Sequence, residues 1–199
     1  MSLARSLQPL RRAWLALGFV LLPASAMAAE RDLLNAAESV AGIYSSIAIH
    51  EVGHALVYKA LGATDVSIEV PRPGSVFSGR TSGQFDRPLT PDERRWAAVS
   101  GLLAANLAGE FVLQRPGLYR SPYAQAVLGT ALVSNLIHVT RYYTRVRGVD
   151  GYAGNDIDQY ELGGGNPHVM SVLLTGYTLL ALHRMRQKDI PLFYVDLRF

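Results

Sequence analysis

The sequence predicts a mainly α-helical, membrane-associated bundle with a small β-hairpin. Two long blocks, residues 123–140 and 168–183, contain no Asp, Glu, Lys or Arg. About 20 apolar residues span a bilayer, so blocks of this length suit either a membrane helix or a buried core helix. Residues 65–70 alternate polar and apolar side chains, which is the pattern of a strand. We favour an integral membrane protein over a soluble one.

The amino terminus has the organisation of a secretory signal peptide. Arg5, Arg11 and Arg12 precede a short apolar core at residues 13–22, and small residues lead up to Ala28. This order predicts cleavage after Ala28. An uncleaved anchor is the alternative, although the apolar core is short for a membrane span.

Removal of residues 1–28 would leave a single exported domain at residues 29–199. The leader carries three arginines and no acid, so its loss takes the formal net charge from +3 to 0. No basic footprint for nucleic acid then remains, and we expect none as a partner. We expect the domain at a bacterial-type inner membrane or in the periplasm, with membrane lipid as a partner. Its oligomeric state and orientation stay open, because arginines lie in nearly every connecting segment.

The first half of the domain is predicted to contain two helices and a hairpin. A short polar helix covers residues 30–39, and an apolar helix follows over 40–61 and stops at Gly62. The β-hairpin covers residues 65–79, with its return strand at 76–79. An exposed irregular loop then continues as far as Pro88.

Three further helices are predicted in the second half. The sequence Thr90-Pro91-Asp92-Glu93 is typical of a capped helix start, and this helix should end near Gln114. The two uncharged blocks, 123–140 and 168–183, form the other two helices. Polar residues interrupt the block at 94–114, so it is the best candidate for a soluble core helix, whereas 123–140 is the best candidate for a span.

The most specific feature is the run His50-Glu51-Val52-Gly53-His54 within the helix at 40–61. Histidines four residues apart project from one helix face, so both imidazoles can reach one Zn²⁺ at about 2.0–2.1 Å. Glu51 lies beside that face, where its carboxylate can act as a general base toward the attacking water. Two core histidines with a buried glutamate are the alternative, but an unpaired buried carboxylate is strongly destabilising. The motif therefore predicts zinc binding and peptide hydrolysis.

A catalytic zinc site needs a third protein ligand, and the absence of cysteine limits the choice to His, Asp or Glu. The turn-rich run at 154–158 offers Asp156 and Asp158. Glu110 is the rival, because a carboxylate inside an apolar helix needs a cation partner. His138 is a further option, although a core histidine hydrogen-bonded to a neighbour is a more frequent explanation.

The motif and its surroundings resemble a known family. Residues 50–56 at the end of an apolar run, followed by 61–63 and the strand at 66–70, resemble the first catalytic segment of the site-2 protease family of intramembrane metalloproteases. Residues 100–107 are similar to the small-residue helix with an asparagine that these proteases place beside the active site. The motif with a later acid also has a distant similarity to the protease domain of the ATP-dependent membrane metalloproteases, but the glycine-rich phosphate loop of their ATPase is missing.

The resemblance implies a zinc-dependent endopeptidase with its active site at or within a membrane and a protein or peptide as its substrate. It also implies that the third ligand is an aspartate near the start of a later helix, with an upstream asparagine and proline. Asn135 and Asn155-Asp156 match this pattern in part, whereas Pro167 follows the acid. Asp156 is therefore the favoured ligand, with Asp158 next and Glu110 last.

Two other functions fit the same residues. One is a soluble periplasmic zinc peptidase whose apolar blocks form an ordinary core. The other is a non-catalytic zinc-binding membrane or assembly protein, whose site would be closed by a fourth ligand such as His138 or His168. In the protease interpretation, the exposed edge of the hairpin at 65–79 is a candidate for pairing with an extended substrate.

Overall fold

The computed structural model describes residues 8–73, 75–144 and 155–193, with side chains from Glu30 onward. These residues form five helices and one antiparallel pair of strands. In chain order the elements are α1 (Gln8–Ala60), β1 (Thr64–Glu69), β2 (Arg80–Gln84), α2 (Pro91–Gln114), α3 (Pro122–Thr144), α4 (Asp156–Leu162) and α5 (Pro167–Gln187). The prediction of a mainly helical fold with a small hairpin is confirmed.

Helix α1 is longer than the sequence predicted. It runs without a break through residues 30–39 and on to Ala60, although 30–39 and 40–61 were expected to form two helices. No glycine or proline separates these segments, and Ala, Leu and Glu favour the helix across the join. The helix ends at Ala60, and Gly62 adopts a left-handed conformation with φ of 87° just beyond it. Cleavage after Ala28 and the domain at 29–199 stay predictions.

The hairpin forms with a different return strand. The predicted strand at 76–79 is wrong, because the chain returns as β2 within the stretch expected to be an irregular loop. Two positions of β2 face α1: Thr81 bonds to it, and an ideal Cβ at Gly83 would already lie 3.2 Å from the Tyr58 ring. Contacts with α1 therefore set the position of the strand, which local alternation could not reveal.

The three helices predicted in the second half are confirmed, with ends shifted by a few residues. Helix α2 begins with the predicted capping box, in which Glu93 N–H donates to the Thr90 hydroxyl oxygen and Thr90 N–H donates to the Glu93 carboxylate.

Helix α4 was not predicted, because its residues were expected to form a turn. The Asn155 side chain accepts hydrogen bonds from the N–H groups of Ile157 and Asp158, and Asp158 accepts one in return from Asn155. This capping box starts a helix of only seven residues. A capping box and an acidic turn contain the same residue types, so the sequence alone did not distinguish the start of a helix from a turn.

The bundle is built around α1, which packs against both α2 and α3. Helix α4 packs against α2, and α5 packs against α3. The largest fully buried apolar side chains are Leu102, Leu113, Leu128, Leu132 and Ile157. Asn135, 1% exposed, exchanges hydrogen bonds with Asn106 and donates to Thr178, so it links α2, α3 and α5 instead of reaching the motif.

Two helices in the described part of the chain are long and apolar enough to cross a membrane, the Glu30–Ala60 part of α1 and all of α2. Core helices of soluble proteins can have the same length and apolar composition as membrane spans, so this finding is weak evidence of membrane association. Helix α3, expected to be the best candidate, is not among the two, and about half of its residues are buried. The order of preference between residues 94–114 and 123–140 stays a prediction.

Candidate metal centre

Two helices bring three potential metal ligands together. His50 and His54 project from one face of α1, with their Nε2 atoms 3.1 Å apart. Asp156, the first residue of α4, places Oδ2 3.2 Å from His50 Nε2 and Oδ1 3.5 Å from His54 Nε2. The three side chains could hold a metal ion, because their ligand atoms all lie within 4.8 Å of one another.

The spacing of these atoms fits a small tetrahedral cation. Ligands bound at about 2.0–2.1 Å in a tetrahedral site lie about 3.3 Å from each other. The observed separations of 3.1, 3.2 and 3.5 Å lie on both sides of that value. The group therefore has the dimensions of a metal site and requires no rearrangement of the helices.

The hydrogen bonds of His54 fix which ring nitrogen is available. Its Nδ1 lies 2.7 Å from the Ala97 carbonyl oxygen, which can only accept, so Nδ1 carries the hydrogen. The Ser100 hydroxyl also lies 3.2 Å from this nitrogen and donates to the same carbonyl. In the neutral ring, the lone pair is then on Nε2, which faces His50. A carbonyl that orients a histidine in this way is a common support of metal ligands.

The electrostatics of Asp156 favour the ionised form that a ligand needs. Burial by itself raises the pKa of this carboxyl, but the neighbouring imidazoles of His138 and His50 outweigh it and hold the pKa well below its usual value. The carboxylate is only 15% exposed at its side chain. A buried charge of this kind is stable only beside cationic or hydrogen-bonding partners.

Glu51 is held beside the metal group by the hairpin. Its side chain is buried at 6% exposure, and the Thr81 hydroxyl donates a hydrogen bond to Oε2 at 2.8 Å. An ideal Cβ at Gly79 would lie 2.4 Å from Glu51 Cγ, so only glycine allows this close approach. Thr81 and Gly79 are functional candidates that the sequence did not identify, because no local pattern links the hairpin to a residue about 30 positions earlier.

Helix α2 passes directly over the ligand atoms. An ideal Cβ at Gly101 would lie 2.3 Å from His54 Nε2 and 2.7 Å from His50 Nε2. The small-residue run at 100–107 therefore does lie against the motif, at its first glycine. Asn106, the asparagine of that run, is instead paired with a buried asparagine of α3.

Gly101→Ala is expected to lower the zinc content of the purified protein well below one ion per chain. The added methyl group would collide with the Nε2 atoms of His50 and His54 that bind the metal. Metal analysis and a zinc-affinity titration measure the effect. The matched control is Gly176→Ala in α5, where an ideal Cβ meets no described atom within 4 Å. Full zinc binding by the Gly101 variant would contradict the placement of the metal group.

His138 lies beside the metal group. Its ring stacks on His50 with centroids 5.6 Å apart, and its Nε2 lies 3.9 Å from Asp156 Oδ2. Its buried Nδ1 has no hydrogen-bond partner within the described ranges. The sequence favoured an ordinary core histidine with a bonded neighbour, but the structure places this ring beside the candidate ligands. Asn155 donates to the His138 carbonyl and so ties the start of α4 to α3.

The other candidate ligands lie outside the group. Asp158 caps α4 by accepting a backbone N–H at 2.8 Å. Glu110 forms a salt bridge with Arg184 at 2.8 Å. His168 stacks on Tyr143 and shares a hydrogen bond with its hydroxyl. Of the described His, Asp and Glu side chains, those of His50, His54 and Asp156 are the ones gathered closely enough for one ion.

The metal group and Glu51 open into one cavity of about 1590 Å³. Pockets for single small molecules are usually about 300–1,000 Å³, so this cavity has room for a segment of polypeptide. Its walls come from α1, the hairpin, α2, α3 and α4.

Comparisons of the chain with protein-family models, with curated proteins and with solved structures found no match. The resemblance to site-2 proteases therefore stays a prediction, and function has to be argued from the geometry of the site.

Proposed function

We propose that this protein is a zinc-dependent endopeptidase whose active site lies at or within a membrane. The observation that carries the proposal is the shared cavity of His50, His54, Asp156 and the buried carboxylate of Glu51. Three protein ligands leave one coordination position of a tetrahedral ion open, which is the arrangement of catalytic zinc sites.

The glutamate beside the ligands supports zinc over iron. Two histidines and a carboxylate are also the ligand set of non-haem Fe(II) oxygenases, whose octahedral geometry places neighbouring ligands about 3.0 Å apart. The observed separations of 3.1, 3.2 and 3.5 Å fit both this value and the tetrahedral value of about 3.3 Å. A glutamate next to the first ligand histidine has a role in hydrolysis and none in that oxygenase site.

The side chains of this chain divide the chemistry between them. A bound Zn²⁺ supplies polarisation of the scissile carbonyl and lowers the pKa of the attacking water. Glu51 takes the proton from that water and later delivers it to the leaving amine, so the peptide bond is replaced by a carboxylate and an amine. Thr81 occupies Oε2 of Glu51, which leaves Oε1 for the proton.

Exposed apolar side chains support contact with lipid. Soluble monomers rarely expose large contiguous apolar surfaces. Helices α2 and α5 contact each other, and both expose large apolar side chains. These side chains are Trp96, Leu103, Leu107, Phe111, Val169, Val172, Leu173, Leu179 and Leu180. The interior of the same bundle holds the Asn106–Asn135–Thr178 network within its apolar core, so these polar groups are kept away from the exposed apolar side chains.

Removal of metal is expected to abolish cleavage. The full chain, purified in detergent, should contain about one zinc per chain, lose cleavage after chelation and recover it when Zn²⁺ is returned. A peptide library analysed by mass spectrometry measures cleavage across many sequences at once, so the natural substrate is not needed. Zinc-loaded protein that leaves the whole library uncut would contradict the enzymatic proposal, as would undiminished cleavage by metal-free protein.

Extraction of membranes with alkaline carbonate is expected to leave the protein in the pellet, because apolar helix faces of this size stay with lipid. Immunoblotting of pellet and supernatant measures the partition, and a periplasmic protein released by the same treatment is the control. Complete release of the chain would favour a soluble periplasmic zinc peptidase instead.

A second candidate function is a non-catalytic metal site that stabilises an assembly. The stacking of His138 on His50, next to Asp156, favours it, because a fourth protein ligand would close the coordination sphere. In that case His138→Ala should weaken zinc binding as much as loss of a ligand from α1 does.

A further inference from the structure

The cavity that contains the metal group carries an unusual number of arginines. Its lining includes Arg72, Arg80, Arg87, Arg94 and Arg141. Arg87 is paired with Glu93 at 2.5 Å, a carboxylate outside the lining. The other four side chains have no ion pair or hydrogen bond within residues 8–73, 75–144 and 155–193. Arg72, Arg80 and Arg141 are exposed and Arg94 is half-buried, so all four guanidinium groups are available to an anion that enters the cavity.

Two of these arginines lie one helical turn from residues that belong to or support the metal group, whereas Arg80 precedes Thr81 on β2 and lies on the opposite face of the strand. Arg94 lies one helical turn before Ala97, whose carbonyl orients His54.

Arg141 lies one turn after His138 on α3, close enough for its charge to act on that imidazole. Helices α2 and α3 therefore each contribute one cation within a turn of a residue that lies beside or supports the metal group.

The charge balance of the cavity is positive once the metal is bound. A divalent ion offsets Glu51 and Asp156, and the acids that remain in the lining are Glu69 and Asp86. The four unpaired arginines face these two acids, which leaves two positive charges in excess. A cleft with one sign of charge and low-dielectric walls concentrates ligands of the opposite sign.

We propose that this arginine wall binds an acidic side chain of the peptide substrate, with Arg94 and Arg141 as its main contacts. The inference rests on the proposed peptidase function and names its substrate class, a peptide with Asp or Glu beside the scissile bond. The planar guanidinium binds a carboxylate through two parallel hydrogen bonds. Arg94 is half-buried and has no side-chain partner among the described residues, so of the four its guanidinium gains most from a carboxylate in the cavity.

The test is a binding measurement that needs no turnover. Zinc-loaded full chain carrying Glu51→Gln is titrated against three fluorescein-labelled decapeptides that differ at two central positions, occupied by Glu, Gln or Lys. We expect the Glu peptide to bind at least about tenfold more tightly than the Gln peptide, because charge-assisted pairs are the stronger hydrogen bonds. The Lys peptide should bind most weakly, and added salt should reduce the preference.

Arg94→Gln and Arg141→Gln, each added separately, should remove most of the preference for Glu and weaken binding of the Gln peptide far less than binding of the Glu peptide. Arg120→Gln is the matched control, since this exposed arginine does not line the cavity. Zinc content and melting temperature verify that each variant is folded, and the exposed position of Arg141 keeps the test available if Arg94→Gln unfolds.

Equal binding of the Glu and Gln peptides to the parent protein would overturn the proposal. It would also be overturned if the two variants lost affinity for phosphatidylglycerol vesicles while keeping the peptide preference, because the arginines would then serve lipid phosphates. A Glu preference without cleavage by the wild-type chain would remove the peptidase function and keep the acidic-ligand site. Cleavage by the wild-type chain without a Glu preference would keep the peptidase function and remove the acidic-ligand site.

Discussion

Replacing Glu51 with Gln is expected to leave zinc bound and to lower the rate of peptide cleavage by about 10²–10⁴-fold, the usual contribution of a general base. Glutamine has the same shape and can still accept the hydrogen bond that Thr81 donates at 2.8 Å. It cannot take a proton from water at neutral pH. The loss should therefore appear in kcat, with the fold and the metal content unchanged.

Zinc analysis, thermal melting and kcat on one library-derived peptide measure the three quantities together. Glu38→Gln is the matched control, because Glu38 lies on the same helix and is exposed to solvent. Cleavage at the wild-type rate by the Glu51 variant would refute the general-base role. Loss of zinc in this variant would instead mean that the glutamate supports the metal.

The features that the sequence predicted well are those whose causes are local. The capping box of Thr90 and Glu93 joins residues three positions apart, so its pattern is complete within one turn. The pairing of His50 with His54 likewise follows from the helical repeat alone. Both could be predicted without the position of any other element.

The features that were missed depend on contacts between distant parts of the chain. Thr81 is identified only by its bond to Glu51, and β2 could not be located without α1. Gly101 is one of many small residues until α2 is placed over the ligand atoms. Such contacts are set by tertiary packing, which periodicity and turn chemistry do not encode.

The comparison of candidate membrane spans depends on polar residues as well as on charge. Residues 123–140 contain no charge, but they include glutamine, asparagine, serine, threonine and histidine. An uncharged helix is therefore less apolar than its lack of charge suggests, and α3 uses these polar groups for interior contacts such as that of Asn135 with Asn106. Helix α2 has more charge at its start and a more apolar body, so it meets the criteria for a span.

The choice of Asp156 as the third ligand gives the second prediction of large effect. Asp156→Asn is expected to weaken zinc binding by more than about 100-fold, the upper range for loss of a residue that only supports a ligand. The amide keeps the volume of the side chain but has no charge to offer beside His50 and His54. Competition with a chromogenic chelator measures the affinity.

Asp158→Asn provides a control two residues away on the same short helix. Its new amide oxygen can still accept the backbone N–H that Asp158 accepts at 2.8 Å, so α4 should keep its start and zinc should bind normally. Glu110→Gln tests the remaining rival, and we expect normal zinc binding because Glu110 is already paired with Arg184. Normal affinity in the Asp156 variant would remove this residue from the site. An equal loss in Asp156→Asn and His138→Ala would instead indicate four protein ligands, a closed coordination sphere and a structural role for the metal.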